Sequence, residues 1–191
     1  MLGKIKYTDE GVVNTMKNCR KALDAGCFID NHQNYSWQEA QPALINGEAA
    51  MYLMGNFLVP NLPQETQDNL DYWQFPDINP GMARGEDAPT DLIFMPANAQ
   101  NKDNAKKFLE FVAQAENIET FAGALKNLPT HKDAATLDDR FLEKVAKVLA
   151  ASKTAQFYDR DTTPEMASAG MQGFQDFMLN PDDMMDILEE I

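Results

Sequence analysis

Long apolar runs are missing from this sequence: no stretch approaches the ~20 residues that a membrane-crossing helix needs. The amino end, MLGKIKYTDEG, has no apolar core of a secretory leader, so no signal peptide is expected within it. Positive charge is scarce as well. Sixteen Lys and Arg stand against thirty Asp and Glu, a net charge of −14. Without a basic cluster, such a chain is a poor partner for nucleic acid. The two histidines, His32 and His131, are far from any ligand spacing such as H-x-x-x-H, so no metal or other cofactor is expected. Cysteine is limited to Cys19 and Cys27, eight residues apart. On one continuous helix they would lie ~12 Å apart, too far for a disulfide. Only a sharp turn at Gly26 would let them meet, so two buried free thiols are expected and the redox compartment stays unread.

What is present is the make-up of a globular protein. With 191 residues and 44% hydrophobic content, the chain can bury a sizeable core in one or two domains. Thr8 is placed to cap a helix over residues 9–25, with an apolar stripe of Val12, Val13, Met16, Cys19 and Leu23 and a stop at Gly26. Leu70 to Phe75 reads as a strand ended by Pro76, residues 77–90 as a loop, and Thr90 to Pro96 as another short strand. Helical spacing returns over residues 101–115, 117–125 and 138–151. Thr163-Pro164-Glu165 offers a cap, a first-turn proline and a first-turn acid, starting a helix that runs to about Leu179. Asn180-Pro181-Asp182-Asp183 opens the last helix.

The most informative stretch runs from Trp37 to Pro60. Ser36 and Glu39 have the spacing of a capping box for a helix over residues 37–46, and Gly47 suits its left-handed stop. Ala49 to Met54 is short and continuously apolar, which predicts a buried strand. Gly55-Asn56-Phe57 then sets a ring where that strand would leave its sheet, and ligands of open α/β sheets collect outside such strand ends. Three short strands and about seven helices make a helix-rich α/β chain, whose strands would need others to complete a sheet.

The residues Leu44, Gly47, Ala50, Met51, Gly55 and Phe57 resemble a central signature of extracellular solute-binding proteins that feed sugar ABC transporters, the maltose-binding-protein-like solute-binding family 1. YTDEGVVNTM, FPDINPG, NAKKFLEFVAQAENIETF and LPTHKDA agree with that family in order. The resemblance implies a periplasmic-binding-protein-like fold of two lobes joined by a hinge. It assigns residues 1–76 to the first part of the C-terminal lobe, 77–128 to a hinge loop and a segment of the N-terminal lobe, and 129–191 to the last helices of the C-terminal lobe. It further implies a secreted or lipid-anchored protein, periplasmic or on the cell surface. Its partners would be a sugar or oligosaccharide and the membrane permease of an importer. Intact relatives are longer, so the chain matches only their later part, and a fragment with exposed strand edges is expected to self-associate.

Sugar recognition takes aromatic faces against ring C–H surfaces and planar polar groups for hydroxyls, because a buried hydroxyl without a partner costs ~1–3 kcal/mol. The candidate ligand-binding residues are Trp37, Phe57, Trp73, Tyr158, Asp159, Arg160 and Asp161, with Tyr72 and the loop Glu86–Asp91 as weaker candidates. Phe57 stands where the family carries a stacking tryptophan; it offers less area and no N–H. Two other readings are open. Asp159 to Thr163 fits the D-x-D-x-T pattern of a phosphatase whose first Asp is a nucleophile, but only ~30 helical residues follow where later strands and Mg²⁺ ligands are needed. Met166, Met171, Met178, Met184 and Met185 would suit a helical docking surface, although helical spacing predicts that most of them are core.

Overall fold

The computed structural model describes residues 5–191; Met1 to Lys4, part of the amino end read above, lie outside the described residues. In chain order the helices are α1 (Glu10–Asp24), α2 (Gln41–Ile45), α3 (Gln64–Asn69), α4 (Lys102–Val112), α5 (Ala115–Leu125), α6 (Arg140–Ala151), α7 (Pro164–Leu179) and α8 (Met184–Glu190). The strands are β1 (Gly85–Asp87) and β2 (Lys153–Ala155). The chain divides into two compact units. One runs to Ala50 and resumes over Gln156–Ile191; the other is Met51–Ala155.

In the first unit, α1 lays Val12, Val13, Cys19 and Leu23 around buried Met16 and against Phe177 of α7 and Leu188 of α8. Each large apolar side chain so buried contributes about 1.5–3 kcal/mol relative to exposure. Gly26 stops α1 at φ +66°, a conformation that costs glycine nothing. The cap itself differs from expectation. Asp9, not Thr8, is the N-cap, and its carboxylate accepts from the Lys6 N–H at 2.9 Å. The capping box is present, with Ser36 N–H donating to Glu39 Oε2 at 2.9 Å and Glu39 N–H to Ser36 Oγ at 3.3 Å. Residues 37–40 nevertheless form a turn and the helix begins only at Gln41. Pro42 is the reason: it has no N–H for the Gln38 carbonyl, which accepts instead from the Gln41 N–H at 3.2 Å, so the bonding of a continuous helix is interrupted there.

Two packing expectations are corrected. Cys19 is half-buried, its Sγ 3.7 Å from Met178 Sδ, whereas Cys27 is exposed; both thiols are free. The Gly26 turn takes the chain off the helix before the apolar stripe reaches Cys27. Met178 and Met184 pack at the core, but Met166, Met171 and Met185 are exposed. On α7 the inward face is taken by Ala167, Gly170, Gly173 and Phe177, and Met166 and Met171 fall beside it.

In the second unit Leu58, Val59, Leu62, Ala122 of α5 and Phe141, Leu142 and Val145 of α6 are buried, and the 3-10 segment Asn56–Asn61 lies against α6. Buried Gln67 is satisfied at both ends: its Nε2 donates to the Leu62 carbonyl at 2.7 Å, and its Oε1 accepts from Lys126 Nζ at 2.8 Å. Arg140 donates to the Gln67 carbonyl and lies 4.5 Å over the Phe141 ring.

Sheet content is the larger correction. Among the described residues the one sheet is the parallel pair β1–β2, in register Gly85–Lys153 to Asp87–Ala155. It is extended by Lys153 N–H to Arg84 O at 3.0 Å and Ala88 N–H to Ala155 O at 2.9 Å. Both strands were illegible, and Gly85–Asp87 lies in what reads as loop. The expected strands at residues 49–54, 70–75 and 90–96 are not assigned as strands. Residues 51–55 and 71–75 do alternate between exposed and half-buried side chains, the period of a strand. A strand is defined by its ladder, and no second strand pairs with them among the described residues.

Candidate ligand-binding site

In the first unit, Tyr158, Asp159 and Arg160 form a 3-10 turn directly before α7, with Asp161 at its end. The Tyr158 hydroxyl gives its one proton to the Met166 carbonyl at 2.8 Å, so the Tyr7 hydroxyl donates to it in a short hydrogen bond. Burial first, and then the Tyr158 hydroxyl, push the Tyr7 phenol well above its ordinary range. Both rings stand against Phe174, at 6.2 and 6.4 Å between centroids. Thr163 caps α7, its Oγ1 accepting from the Met166 N–H at 3.3 Å, so no acid of the turn is spent on that bond. Asp159, Arg160 and Asp161 are exposed, and the Arg160 guanidinium lies 5.5 Å from the Phe157 ring centroid. Trp37 is half-buried on the turn after Ser36, in the same unit.

Phe57 and Trp73 belong to the second unit. Phe57 does not sit at a strand exit: it lies in a 3-10 helix, Asn56–Asn61, because no strand forms before it. Its ring folds back over Gly55, where an added Cβ would come 2.6 Å from Phe57 Cε1. Trp73 exposes more than half its surface. Beside it Gln74 is held by Glu86 and Arg84 and by the Ser152 hydroxyl at 3.3 Å, and Arg84 pairs with Asp77 at 2.8 Å. Asp77 in turn raises the Arg84 pKa, and burial followed by the Glu86 charge raises that of Tyr72. An open cavity of about 290 Å³ is lined here by Gln74, Phe75, Asp77, Met82, Arg84 and Glu86. An amide, a guanidinium and two carboxylates next to an aromatic face are the groups that hydroxyl-rich ligands take.

Of the sequence candidates, the structure gathers Tyr158, Asp159, Arg160 and Asp161 on one turn, while exposed Trp73 precedes Gln74 in an alternating segment and is not among the residues that line the cavity. Gln74 and Arg84 were missed. Their signal was faint: Gln74 lies next to an aromatic in an alternating segment, and Arg84 sits in a stretch without periodicity. The phosphatase reading finds no support: Asp159 lies in a 3-10 turn with Asp161 at its end rather than at the end of a strand, and the two-stranded sheet among the described residues is not a doubly wound platform.

The chain belongs to the family of bacterial extracellular solute-binding proteins, which it matches over residues 2–150. It is 32% identical over 126 residues to an uncharacterized ABC transporter extracellular-binding protein of Pyrococcus horikoshii, covering 65% of this chain and 28% of that protein. It is 27% identical over 129 residues to a binding protein of Brucella abortus, covering 67% of this chain and 31% of that one. Among solved structures it resembles the bacterial solute receptor AcbH, described as having an exclusive preference for β-D-galactopyranose. That match has a TM-score of 0.89 and 27% identity, over 98% of this chain and 49% of the receptor. A chitin oligosaccharide binding protein shares the fold at a TM-score of 0.78 and 19% identity, over 98% of this chain and 50% of that one. The chain thus spans about half the length of these solved relatives. No helix among the described residues is long and apolar enough to cross a membrane.

Proposed function

We propose that this chain is part of the carbohydrate-capturing component of an ABC importer, acting outside the cytoplasm by binding rather than catalysis. The observation that carries the reading is its superposition on the galactopyranose receptor over nearly its whole length. The sugar would lie in a cleft between two lobes that close about a hinge, and the closed form would dock on the membrane permease. In this reading residues 1–76 and 129–191 serve one lobe and 77–128 the hinge and the other. Trp37, Phe57 and Trp73 offer stacking faces. Asp159, Arg160 and Asp161 accept or donate to hydroxyls, and Tyr158 supports the turn that carries them.

The test is calorimetry with galactose, glucose, maltose and chitobiose on this chain joined to the half of the galactopyranose receptor that it leaves unmatched. At least one sugar is expected to bind, with Phe57→Ala and the double change Asp159→Asn, Asp161→Asn each weakening it by tenfold or more. The 191-residue chain alone is expected to bind only at millimolar concentrations. Micromolar affinity of the chain alone would refute a shared cleft, and no binding by the joined protein would refute the carbohydrate reading.

A further inference from the structure

The cavity beside β1 is built around one arginine, whose neighbours decide what charge a ligand there can carry. Arg84 Nη2 donates to Asp77 Oδ2 at 2.8 Å, and Arg84 Nη1 donates to Gln74 Oε1. The Gln74 amide nitrogen spends its two protons on Glu86 Oε1 and, at 3.3 Å, on Ser152 Oγ. Gln74 is therefore fully used, and it fixes Glu86 and Arg84 against each other. Among the described residues, Glu86 Oε2 and Asp77 Oδ1 carry no hydrogen bond, and the guanidinium keeps three of its five N–H groups. Asp77 first, and Glu86 as well, raise the Arg84 pKa, so two carboxylates act on one guanidinium. The cavity is left with one negative charge in excess, on a chain whose net charge is −14. Phe75 and Met82 line it too and are exposed, so an apolar wall stands beside the charged one.

We propose that this cavity is a subsite for a neutral or protonated amino sugar and that it turns acidic sugars away. Glu86 Oε2 accepts from a hydroxyl or an ammonium group, the spare N–H groups of Arg84 donate to a hydroxyl, and Phe75 meets the C–H face of the ring. A carboxylate on the sugar finds no counter-ion, because Asp77 and Glu86 already balance the charge of Arg84. Gln74 is the positioning residue. The proposal rests on the carbohydrate reading above and adds the charge class of the sugar.

Every lining residue belongs to this chain, so the 191-residue chain is tested as it stands. Galactose, galactosamine and galacturonate share a ring and differ in charge. Each is titrated in near-neutral buffer while nitrogen-15 NMR follows the Gln74 side-chain amide and the Arg84 Nε–H. Both resonances are expected to move, with affinity falling in the order galactosamine, galactose, galacturonate. The ends of that series should differ by about fivefold or more at low salt and draw together at high salt, as charges open to solvent do. Glu86→Gln alone is expected to remove the advantage of galactosamine. The double change Asp77→Asn, Glu86→Gln keeps an oxygen for each bond from Arg84 and Gln74 but leaves the guanidinium charge unbalanced, and is expected to put galacturonate first. An order that the double change leaves unaltered would overturn the proposal. So would sugars that shift only the turn over residues 158–161, which would leave the carbohydrate reading standing. Sugars that bind neither this chain nor the joined protein described above would end both.

Discussion

Gly170 lies in the interior of α7, where glycine costs a helix roughly 1 kcal/mol relative to alanine. Its neighbours account for it. A Cβ there would collide with the Tyr158 hydroxyl and come 2.9 Å from the Tyr7 hydroxyl. Both oxygens are fixed by the chain of hydrogen bonds that ends on the Met166 carbonyl, so neither can give way cheaply. Gly170→Ala is therefore expected to lose about 1–2 kcal/mol net, overpacking outweighing the gain in helix propensity. Gly11, in α1 with nothing within 4 Å of an added Cβ, is the control: Gly11→Ala is expected to gain up to about 1 kcal/mol. Urea titrations of the two variants check the contrast, and a stabilised Gly170→Ala would mean that the tyrosine pair is not packed on α7. The same pair makes a pH prediction. The folded pKa of Tyr7 is raised above its ordinary 10.0, so both states stay protonated below pH 10 and nothing is lost there. Above pH 10 the unfolded phenol ionises first and stability falls. Tyr7→Phe should lose stability near neutral pH but show a flatter alkaline limb in thermal melts from pH 8 to 11. An alkaline limb as steep as that of the unaltered protein would assign it to other groups.

At the scale of elements, what was legible in the sequence is what is decided within one turn of chain. Thr163-Pro164-Glu165 starts α7, Ser36 and Glu39 bond reciprocally, and Gly26 and Gly47 take positive φ, each for a reason contained in three or four residues. The strands were not legible in that way. β1 exists because Lys153 to Ala155 lies beside it, more than sixty residues later in the chain, and Gly85-Glu86-Asp87 has no apolar pattern to announce it. Met51, Leu53 and Trp73 show the opposite failure, a strand pattern whose partners are not among the described residues. The candidate site divides along the same line. The polar turn before α7 was readable as local sequence, whereas Gln74 and Arg84 become a cluster only when β1 and β2 bring Ser152 and Glu86 beside them. Caps allow a graded test of the local rule. Asp139 accepts from two backbone N–H groups of α6, at 2.8 and 3.2 Å, and Thr163 from one of α7, at 3.3 Å. Asp139→Ala is expected to cost about 1–2 kcal/mol and Thr163→Ala about 0.5–1 kcal/mol in chemical denaturation. Equal costs would show that the number of bonds made does not set the value of these caps.

Taken as a whole, the molecule carries a thermodynamic signature of its unusual surface. An unfolded chain of 21.4 kDa exposes about 31,000 Å² by mass scaling, and a compact fold would remove about 22,000 Å² of it. Folding to the observed 13,789 Å² removes only about 17,000 Å², roughly a fifth less. The heat-capacity change of unfolding follows the surface exposed, chiefly its apolar part, and for 191 residues ordinarily amounts to about 2.3–2.9 kcal/mol/K. The isolated chain is expected to fall short of that range by about a fifth, and by more if the missing burial is mainly apolar. Scanning calorimetry measures the quantity summed over all transitions, so it holds whether the two units melt together or apart. The urea dependence of stability should be shallow for the same reason. A full-sized value for the isolated chain would mean that its exposed apolar segments are covered in solution, and the missing burial would then have to be found between copies of the same chain.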